Sequence, residues 1–207
     1  MITLESYKEI DGWLEDSEAN ALQIIAEGLN VVELGCWKGK SSIAIGATAK
    51  SVLTVDHFSG DTFTGKAFTL PEAIKNIRKF DSEKKISILV QDFFDIRSSE
   101  IKKMLLCADL VYYDGDHNEE SVKKFIDFIS QFKRLPIIAF HDYDASINFS
   151  MGKNIFDSFV KNVIKESFFI VIKRLALIIP KNLNTGLFAR LHKIETEKPI
   201  ISTIMMQ

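Results

Sequence analysis

The chain has 207 residues, of which 46% are hydrophobic and 26% charged, and its formal net charge is -2. These values are typical of one folded domain with a full core, and the lack of a basic excess argues against a nucleic-acid partner. Two cysteines cannot build a disulfide framework, the N-terminus lacks a signal-peptide pattern, and no apolar run reaches the ~18 residues of a membrane span. We therefore expect a cytoplasmic protein without a membrane partner.

The first 30 residues are predicted to form a helical cover over the rest of the chain. Residues 5–29 have a helical pattern of apolar side chains, with Asp16 or Ser17 as the cap and Gly28 as the end. A core of residues 31–181 follows, and residues 182–207 form a tail.

The stretch from Val31 to Ala44 predicts a buried strand, a glycine turn and the start of a helix. Gly35 and Gly39 allow a tight turn and a close approach of backbone that other residues would block. Ser41 or Ser42 is expected to cap the helix. The first N–H groups of such a helix attract the polar part of a ligand.

Two features of this turn indicate which ligand it suits. Trp37 stands where a dinucleotide fingerprint has its middle glycine, so its bulk argues against a pyrophosphate and hence against NAD. Glu33 lies at the end of the strand, where a carboxylate is costly unless it binds something. We interpret the stretch as a cradle for a nucleoside cofactor, and a tight turn without a ligand is the alternative.

The second predicted strand ends in Asp56, about 20 residues beyond the glycine turn. In strand–turn–helix nucleotide folds a carboxylate at this position binds the ribose hydroxyls. His57 opens a loop that runs to Thr69 and is predicted to close over the ligand. The alternative for Asp56 is a cap or a loop acid.

The remaining chain alternates strands and helices, which predicts a mostly parallel, doubly wound α/β sheet in three layers. The last two strands are separated by only Lys173 and Arg174, so they must pair antiparallel. The predicted strands after the second are 86–90, 110–113, 136–140, 168–172 and 175–179, and the predicted helices begin near residues 71, 101, 119 and 155.

Two neighbouring strand ends carry a second group of polar residues: Asp114, His117, His141 and Asp142. Carboxylates together with water molecules are suitable ligands for Mg²⁺, which would bind a substrate hydroxyl. His117 is suited to the role of general base. The alternatives are a turn acid at Asp114, a surface histidine at His117 and a hydrogen-bonded rim residue at His141.

The glycine turn resembles motif I of class I S-adenosylmethionine-dependent methyltransferases, in the E-x-G-x-x-x-G-x-S form. The Asp114-Gly115-Asp116-His117 run and the stretch from Ala139 to Tyr143 are similar to the macrolide-sugar and rhamnosyl O-methyltransferases, a family that is also labelled cephalosporin hydroxylase-like. The resemblance implies a seven-stranded Rossmann-like sheet that ends in the antiparallel hairpin.

The resemblance also implies roles for individual residues. It makes Asp114 and Asp142 ligands of Mg²⁺ and His117 the base, and it puts His141 where some members carry an acidic ligand, so the predicted metal set is Asp114, His141 and Asp142. It places Asp92 near the adenine, with a capping role as the alternative. The predicted cofactor site comprises Glu33, Gly35, Trp37, Gly39, Ser41, Asp56, His57, Asp92 and Asp114.

From these observations we expect a methyltransferase that uses S-adenosylmethionine, with Mg²⁺ as an optional second cofactor, on a small hydroxylated substrate such as a sugar or glycosylated metabolite. Two other functions remain open: a non-catalytic module that binds S-adenosylmethionine, and a nicotinamide-dependent oxidoreductase. A homo-oligomer is also open, because residues 199–206 are apolar enough to pack against a partner.

Overall fold

Seven strands form one sheet in the computed structural model, which describes residues 1–61, 64–96, 98–143, 153–183, 187 and 190–191. The strand order is β3-β2-β1-β4-β5-β7-β6. The first five strands pair in parallel, and β7 runs antiparallel to both β5 and β6. The strands are β1 Asn30–Leu34, β2 Ser51–Asp56, β3 Ile86–Val90, β4 Leu110–Tyr113, β5 Ile137–Phe140, β6 Ser167–Ile172 and β7 Leu175–Pro180.

Helices cover both faces of this sheet and complete the three layers. One apolar cluster packs α1, α2 and α3 against one face, and a second packs α4, α5 and α6 against the other. The helices are α1 Asp16–Ala26, α2 Lys40–Gly46, α3 Leu70–Phe80, α4 Ser99–Leu105, α5 Glu119–Ile129 and α6 Lys153–Val163. The predicted doubly wound sheet and its antiparallel hairpin are confirmed.

The central strands are apolar because they are covered on both sides. Every residue of β4, β5 and β7 is buried. Parallel strands with helices on both faces read as continuous apolar runs, which is why these segments were predictable from the sequence.

The N-terminal cover departs from the prediction of a helix over residues 5–29. A short 3-10 helix spans Ser6–Glu9, and α1 begins only at Asp16. The cap is Glu15, not Asp16 or Ser17, because Glu15 and Glu18 form a reciprocal capping box. The segment between the two helices is not helical, and the carbonyl oxygens of Gly12 and Trp13 in it accept hydrogen bonds from Lys40 and Arg174.

The predicted serine cap of α2 is also wrong. The N-cap is Gly39, with a φ of 88° and no side-chain cap. The hydroxyl of Ser42 donates instead to the carboxylate of Glu33. The side chain is thus committed to a buried acid on β1, which removes it from the helix end.

The predicted division at residues 30 and 181 stays a prediction, and most of the predicted tail lies outside the described residues. In the part of the chain that the structure describes, no helix is long and apolar enough to cross a membrane.

Candidate active site

The strand register brings four strand ends to one level of the sheet. Leu34 pairs with Val55 on one side and with Tyr113 on the other, and Tyr113 pairs with Phe140. The residues that follow these positions therefore lie side by side at the carboxyl edge, where doubly wound sheets bind their ligands. They are Gly35, Asp56, Asp114 and His141.

The turn after β1 is held by the neighbouring strand. One carboxylate oxygen of Asp56 accepts hydrogen bonds from the backbone N–H of Cys36 at 2.8 Å and of Trp37 at 3.0 Å. The other oxygen accepts from the backbone N–H of Phe58 at 2.6 Å. Because each carboxylate oxygen can accept more than one hydrogen bond, these contacts orient the acid without exhausting it.

Gly35 is required by close backbone packing in this turn. Its φ is 97°, and a Cβ atom added there would overlap the carbonyl oxygen of Asp114. The turn therefore lies directly against the end of β4, which carries the second group of polar residues. Steric exclusion by the backbone of Asp114 therefore explains why this position is a glycine.

Glu33 is fully buried beneath the same turn. One of its oxygens accepts from Ser42, and the other has no hydrogen-bond partner among the described residues. Burial raises the pKa of Glu33 to about 7, and the charge of Asp114 adds to the shift. Because Glu33 is fully buried, it presents no exposed surface to a ligand here, and its predicted contact with a cofactor stays a prediction.

Asp114, His117 and Asp142 form the cluster best suited to a cation. One ligand atom from each lies within 4.8 Å of the others. The Nε2 atom of His117 lies 2.9 Å from the carbonyl oxygen of His141, which can only accept, so Nε2 carries the proton of this hydrogen bond. In the neutral ring the lone pair is then on Nδ1.

The metal set predicted from the sequence differs by one residue, since it contained His141. Both nitrogens of His141 face carboxylates: Nδ1 lies 3.1 Å from Asp114 and Nε2 lies 3.2 Å from Glu18. Burial alone would lower the pKa of His141, but the charges of Asp114 and Glu18 raise it well above its usual range. With both ring nitrogens directed at carboxylates, His141 presents no nitrogen to a metal, and the geometric cluster of the described residues contains His117 in its place. The ligand set predicted from the sequence stays a prediction.

The Asp114 carboxylate is oriented from two sides. His141 contacts Oδ1, and the hydroxyl of Tyr112 donates to Oδ2 at 3.0 Å. Burial would raise the pKa of Asp114, but the charge of His141 lowers it to about 2. The group is therefore an anion at neutral pH, as a cation site requires.

The other residues predicted to bind the cofactor differ in their exposure and in their contacts within the protein. Trp37 contacts Trp13 with ring centroids 5.7 Å apart, and the side chain of His57 is nearly half exposed. Asp92 caps a short 3-10 helix by accepting from the backbone N–H of Phe94, which is the alternative noted for it. Ser41 is buried at the start of α2. Their contacts with a cofactor stay predictions.

The sequence interpretation missed Glu18 and Arg174. Glu18 is buried and contacts His141, and the guanidinium of Arg174 donates to Asp142 at 3.1 Å and to the carbonyl oxygen of Trp13 at 2.6 Å. Glu15 at the cap departs from the usual capping-box sequence, which has Ser, Thr, Asp or Asn there, and no local pattern predicts a partner 123 residues away.

This sheet, with its glycine turn, strand-end acid and second polar cluster, defines a class I methyltransferase fold. Residues 32–143 match the family model described as "Methyltransferase domain", and the chain belongs to that family. The S-adenosylmethionine-dependent methyltransferase class predicted from the sequence is thereby confirmed. No curated protein matches the chain significantly.

Solved structures share the fold at low identity. The O-methyltransferase TomG from Streptomyces achromogenes, involved in tomaymycin synthesis and solved with SAM, is 10% identical with a TM-score of 0.55 over 86% of each chain. An O-methyltransferase from Bacillus cereus, in complex with SAH, is 12% identical with a TM-score of 0.55 over 85% of this chain and 90% of its own. An rRNA methylase from Streptococcus thermophilus is 10% identical with a TM-score of 0.53 over 82% and 99%.

Proposed function

We propose that this protein is an O-methyltransferase that methylates a hydroxyl group of a small hydroxylated acceptor, such as a sugar or a glycosylated metabolite. The observation that carries the proposal is the cluster of Asp114, His117 and Asp142 next to the glycine turn. A base and two carboxylates beside the cofactor turn suit the deprotonation of a hydroxyl group. The rRNA methylase shares only the fold, and the net charge of -2 supports a small acceptor rather than RNA.

The residues present fit S-adenosylmethionine, whose sulfonium supplies an activated methyl group when it is bound. Asp56 keeps acceptor capacity for the two ribose hydroxyls, and its backbone contacts fix its direction. Gly35, Trp37 and Gly39 would shape the turn around the cofactor.

His117 is the proposed general base. Its Nε2–H is held by the carbonyl oxygen of His141, so Nδ1 would take the proton of the acceptor hydroxyl. The acceptor oxygen would then bond to the methyl carbon of S-adenosylmethionine, and the carbon–sulfur electron pair would remain on sulfur. Asp114 and Asp142 would hold Mg²⁺, which would bind the acceptor hydroxyls and lower their pKa. Because Nε2 carries a proton, the neutral ring of His117 has its lone pair on Nδ1, and this proposal uses that pair for the base and leaves Mg²⁺ to the two carboxylates.

A methyl-transfer assay tests the proposal. The full chain is incubated with methyl-labelled S-adenosylmethionine and a panel of sugars and glycosides, with Mg²⁺ or with a chelator. We expect labelled product, and His117→Ala should lower turnover by ~10²–10⁴-fold without loss of S-adenosylhomocysteine binding. Glu120→Gln, on the exposed face of α5, is the control and should keep full turnover.

Three results would count against parts of the proposal. Binding of S-adenosylhomocysteine without transfer to any acceptor would favour the non-catalytic module. Unchanged turnover in His117→Ala would exclude that residue as the base. Saturable binding of NADH, with hydride transfer, would favour the oxidoreductase.

A further inference from the structure

Glu18 is a buried carboxylate on α1, a helix that packs against one face of the sheet. It is fully shielded from solvent, although it lies in the first turn of α1. Burying a carboxylate costs free energy unless hydrogen-bond donors surround it, so Glu18 needs such donors. Among the described residues, one hydrogen-bond partner is its neighbour Glu15, and two others, His141 and Arg174, come from distant parts of the chain.

Both oxygens of Glu18 are engaged. One accepts from the backbone N–H of Glu15 at 2.9 Å and lies 3.2 Å from Nε2 of His141. The other accepts from the backbone N–H of Arg174 at 3.0 Å. Glu18 thus joins the N-terminal helix to the end of β5 and to the turn between β6 and β7.

A capping role explains only the first of these contacts. The capping box needs the Glu18 side chain to accept from the backbone of Glu15, and exposed glutamates do this routinely. Capping requires neither full burial nor contact with His141 and Arg174. The additional contacts therefore need another explanation.

The chain of contacts continues from His141 into the proposed site. His141 is only 2% exposed, and its Nδ1 lies 3.1 Å from Oδ1 of Asp114 and 3.4 Å from Oδ1 of Asp142. The ring is held at Nε2 by Glu18 and therefore presents Nδ1 in a fixed direction. Asp114 and Asp142, the two carboxylates of the candidate cation cluster, are the groups that Nδ1 meets.

We infer that Glu18 is a positioning residue of the methyl-transfer site: it fixes His141, and His141 fixes the carboxylate of Asp114. The inference rests on the proposed function, because it takes Asp114 to border the reacting groups. Methyl transfer depends on alignment, and a misplacement of about 1 Å can cost ~10²-fold in rate. Glu18 acts on the reaction without touching substrate or cofactor.

Glu18→Gln tests the inference with almost no change in size. The glutamine amide can accept with only one of its two ends, so its NH₂ group must face either the His141 N–H or the backbone N–H of Arg174. We expect kcat to fall at least tenfold. Glu15→Gln is the matched control, since it weakens the same capping box without touching His141, and we expect its kcat to stay within twofold of wild type.

A double-mutant cycle separates positioning from general destabilisation. If Glu18 acts through His141, the kcat of Glu18→Gln/His141→Gln should equal that of His141→Gln alone within twofold. A merely structural role predicts losses that multiply in the double variant. Where Glu18→Gln does not fold, Glu18→Asp replaces it: aspartate keeps the charge at the helix start but is too short to reach His141, so the same loss of kcat is expected.

A crystal structure of the Glu18 variant gives a readout that does not depend on activity. We expect the Asp114 carboxylate to rotate or shift relative to wild type while the backbone of β4 stays in place. An unmoved Asp114, a kcat equal to that of Glu15→Gln, or multiplying losses in the cycle would overturn the inference. If the wild-type chain transfers no methyl group, the proposed function fails, and the position of Asp114 in the variant still decides whether Glu18 holds it.

Discussion

The carboxylate of Asp56 accepts a hydrogen bond from the backbone nitrogen of Trp37 at 3.0 Å. This contact crosses from the end of β2 to the turn after β1, so the acid that is proposed to bind the ribose also sets the shape of the turn. Any change at Asp56 should therefore alter the cofactor site in two ways at once.

Asp56→Asn should weaken S-adenosylhomocysteine binding at least tenfold, or about 1.4 kcal/mol. The asparagine NH₂ group must face a backbone N–H that donated a hydrogen bond to the carboxylate, and the ribose loses an anionic acceptor. Isothermal calorimetry measures the change. Asp109→Asn is the matched control, because Asp109 also accepts a backbone N–H, from Asn30, but at the opposite edge of the sheet. Equal affinities in the wild type and Asp56→Asn would remove Asp56 from the cofactor site.

Gly35→Ala should destabilise the fold strongly, by at least about 2 kcal/mol, because the new methyl group would overlap backbone at the end of β4. Gly28→Ala is the control, since Gly28 also has a positive φ, 71°, but its added methyl group would meet nothing within 4 Å. We expect it to cost only about 1 kcal/mol, the price of the left-handed backbone alone. Urea unfolding compares the two, and similar losses would contradict the steric explanation.

Glu33 should make the fold less stable as the pH rises from ~4 to ~7. Its pKa in the folded chain is about 7, above the ~4.3 of an unfolded glutamate, so the stability present at low pH is lost as the buried group ionises. The loss from this group is about 3 kcal/mol. The lowered pKa values of Asp114 and Glu18 act in the opposite sense, and the stability they give is fully present once the pH exceeds their unfolded pKa values near ~4.

Glu33→Gln isolates this effect, since glutamine can still accept from Ser42 but does not ionise. The difference in unfolding free energy between the variant and the wild type should grow in the variant's favour between pH 4 and 7. Urea unfolding at several pH values measures it. A constant difference over that range would show that Glu33 does not titrate there.

Cofactor binding should change the tryptophan fluorescence of the chain. Trp13 and Trp37 are its two tryptophans, and their rings are in contact at the glycine turn. Trp13→Phe should keep a response from Trp37 on titration with S-adenosylhomocysteine, with the same Kd as calorimetry gives. Binding seen by calorimetry without any change in emission, in the wild type or in the variant, would place the ligand away from this turn.

The alternation of strands and helices was predictable because it depends on local patterns. The apolar runs of β4 and β5 and the two-residue Lys173-Arg174 turn were sufficient to predict parallel strands and an antiparallel hairpin. The N-terminal helix was predicted too long, since the apolar pattern before Asp16 continues although the chain between Glu9 and Glu15 is not helical. Apolar spacing alone does not locate a capping box.

The site was predictable only where its residues follow strand ends. Asp56, Asp114, His117 and Asp142 were proposed because they lie at or just after the ends of parallel strands, which meet at one edge. Their roles in binding and catalysis stay predictions. The contacts that surround His141 were not predictable, because one of them comes from Glu18. That residue reaches the edge from α1, and a contact between residues 18 and 141 leaves no pattern in a single sequence.

The turn between β6 and β7 has a consequence for how the protein is made. The guanidinium of Arg174 donates hydrogen bonds to Asp142 and to the carbonyl oxygen of Trp13, and its backbone N–H donates to Glu18. A growing chain on the ribosome exposes the glycine turn early, but it has no finished catalytic edge until the hairpin has emerged from the exit tunnel. Nascent chains that stall before residue 174 should therefore lack the contacts that complete this edge, even where the first five strands have already paired.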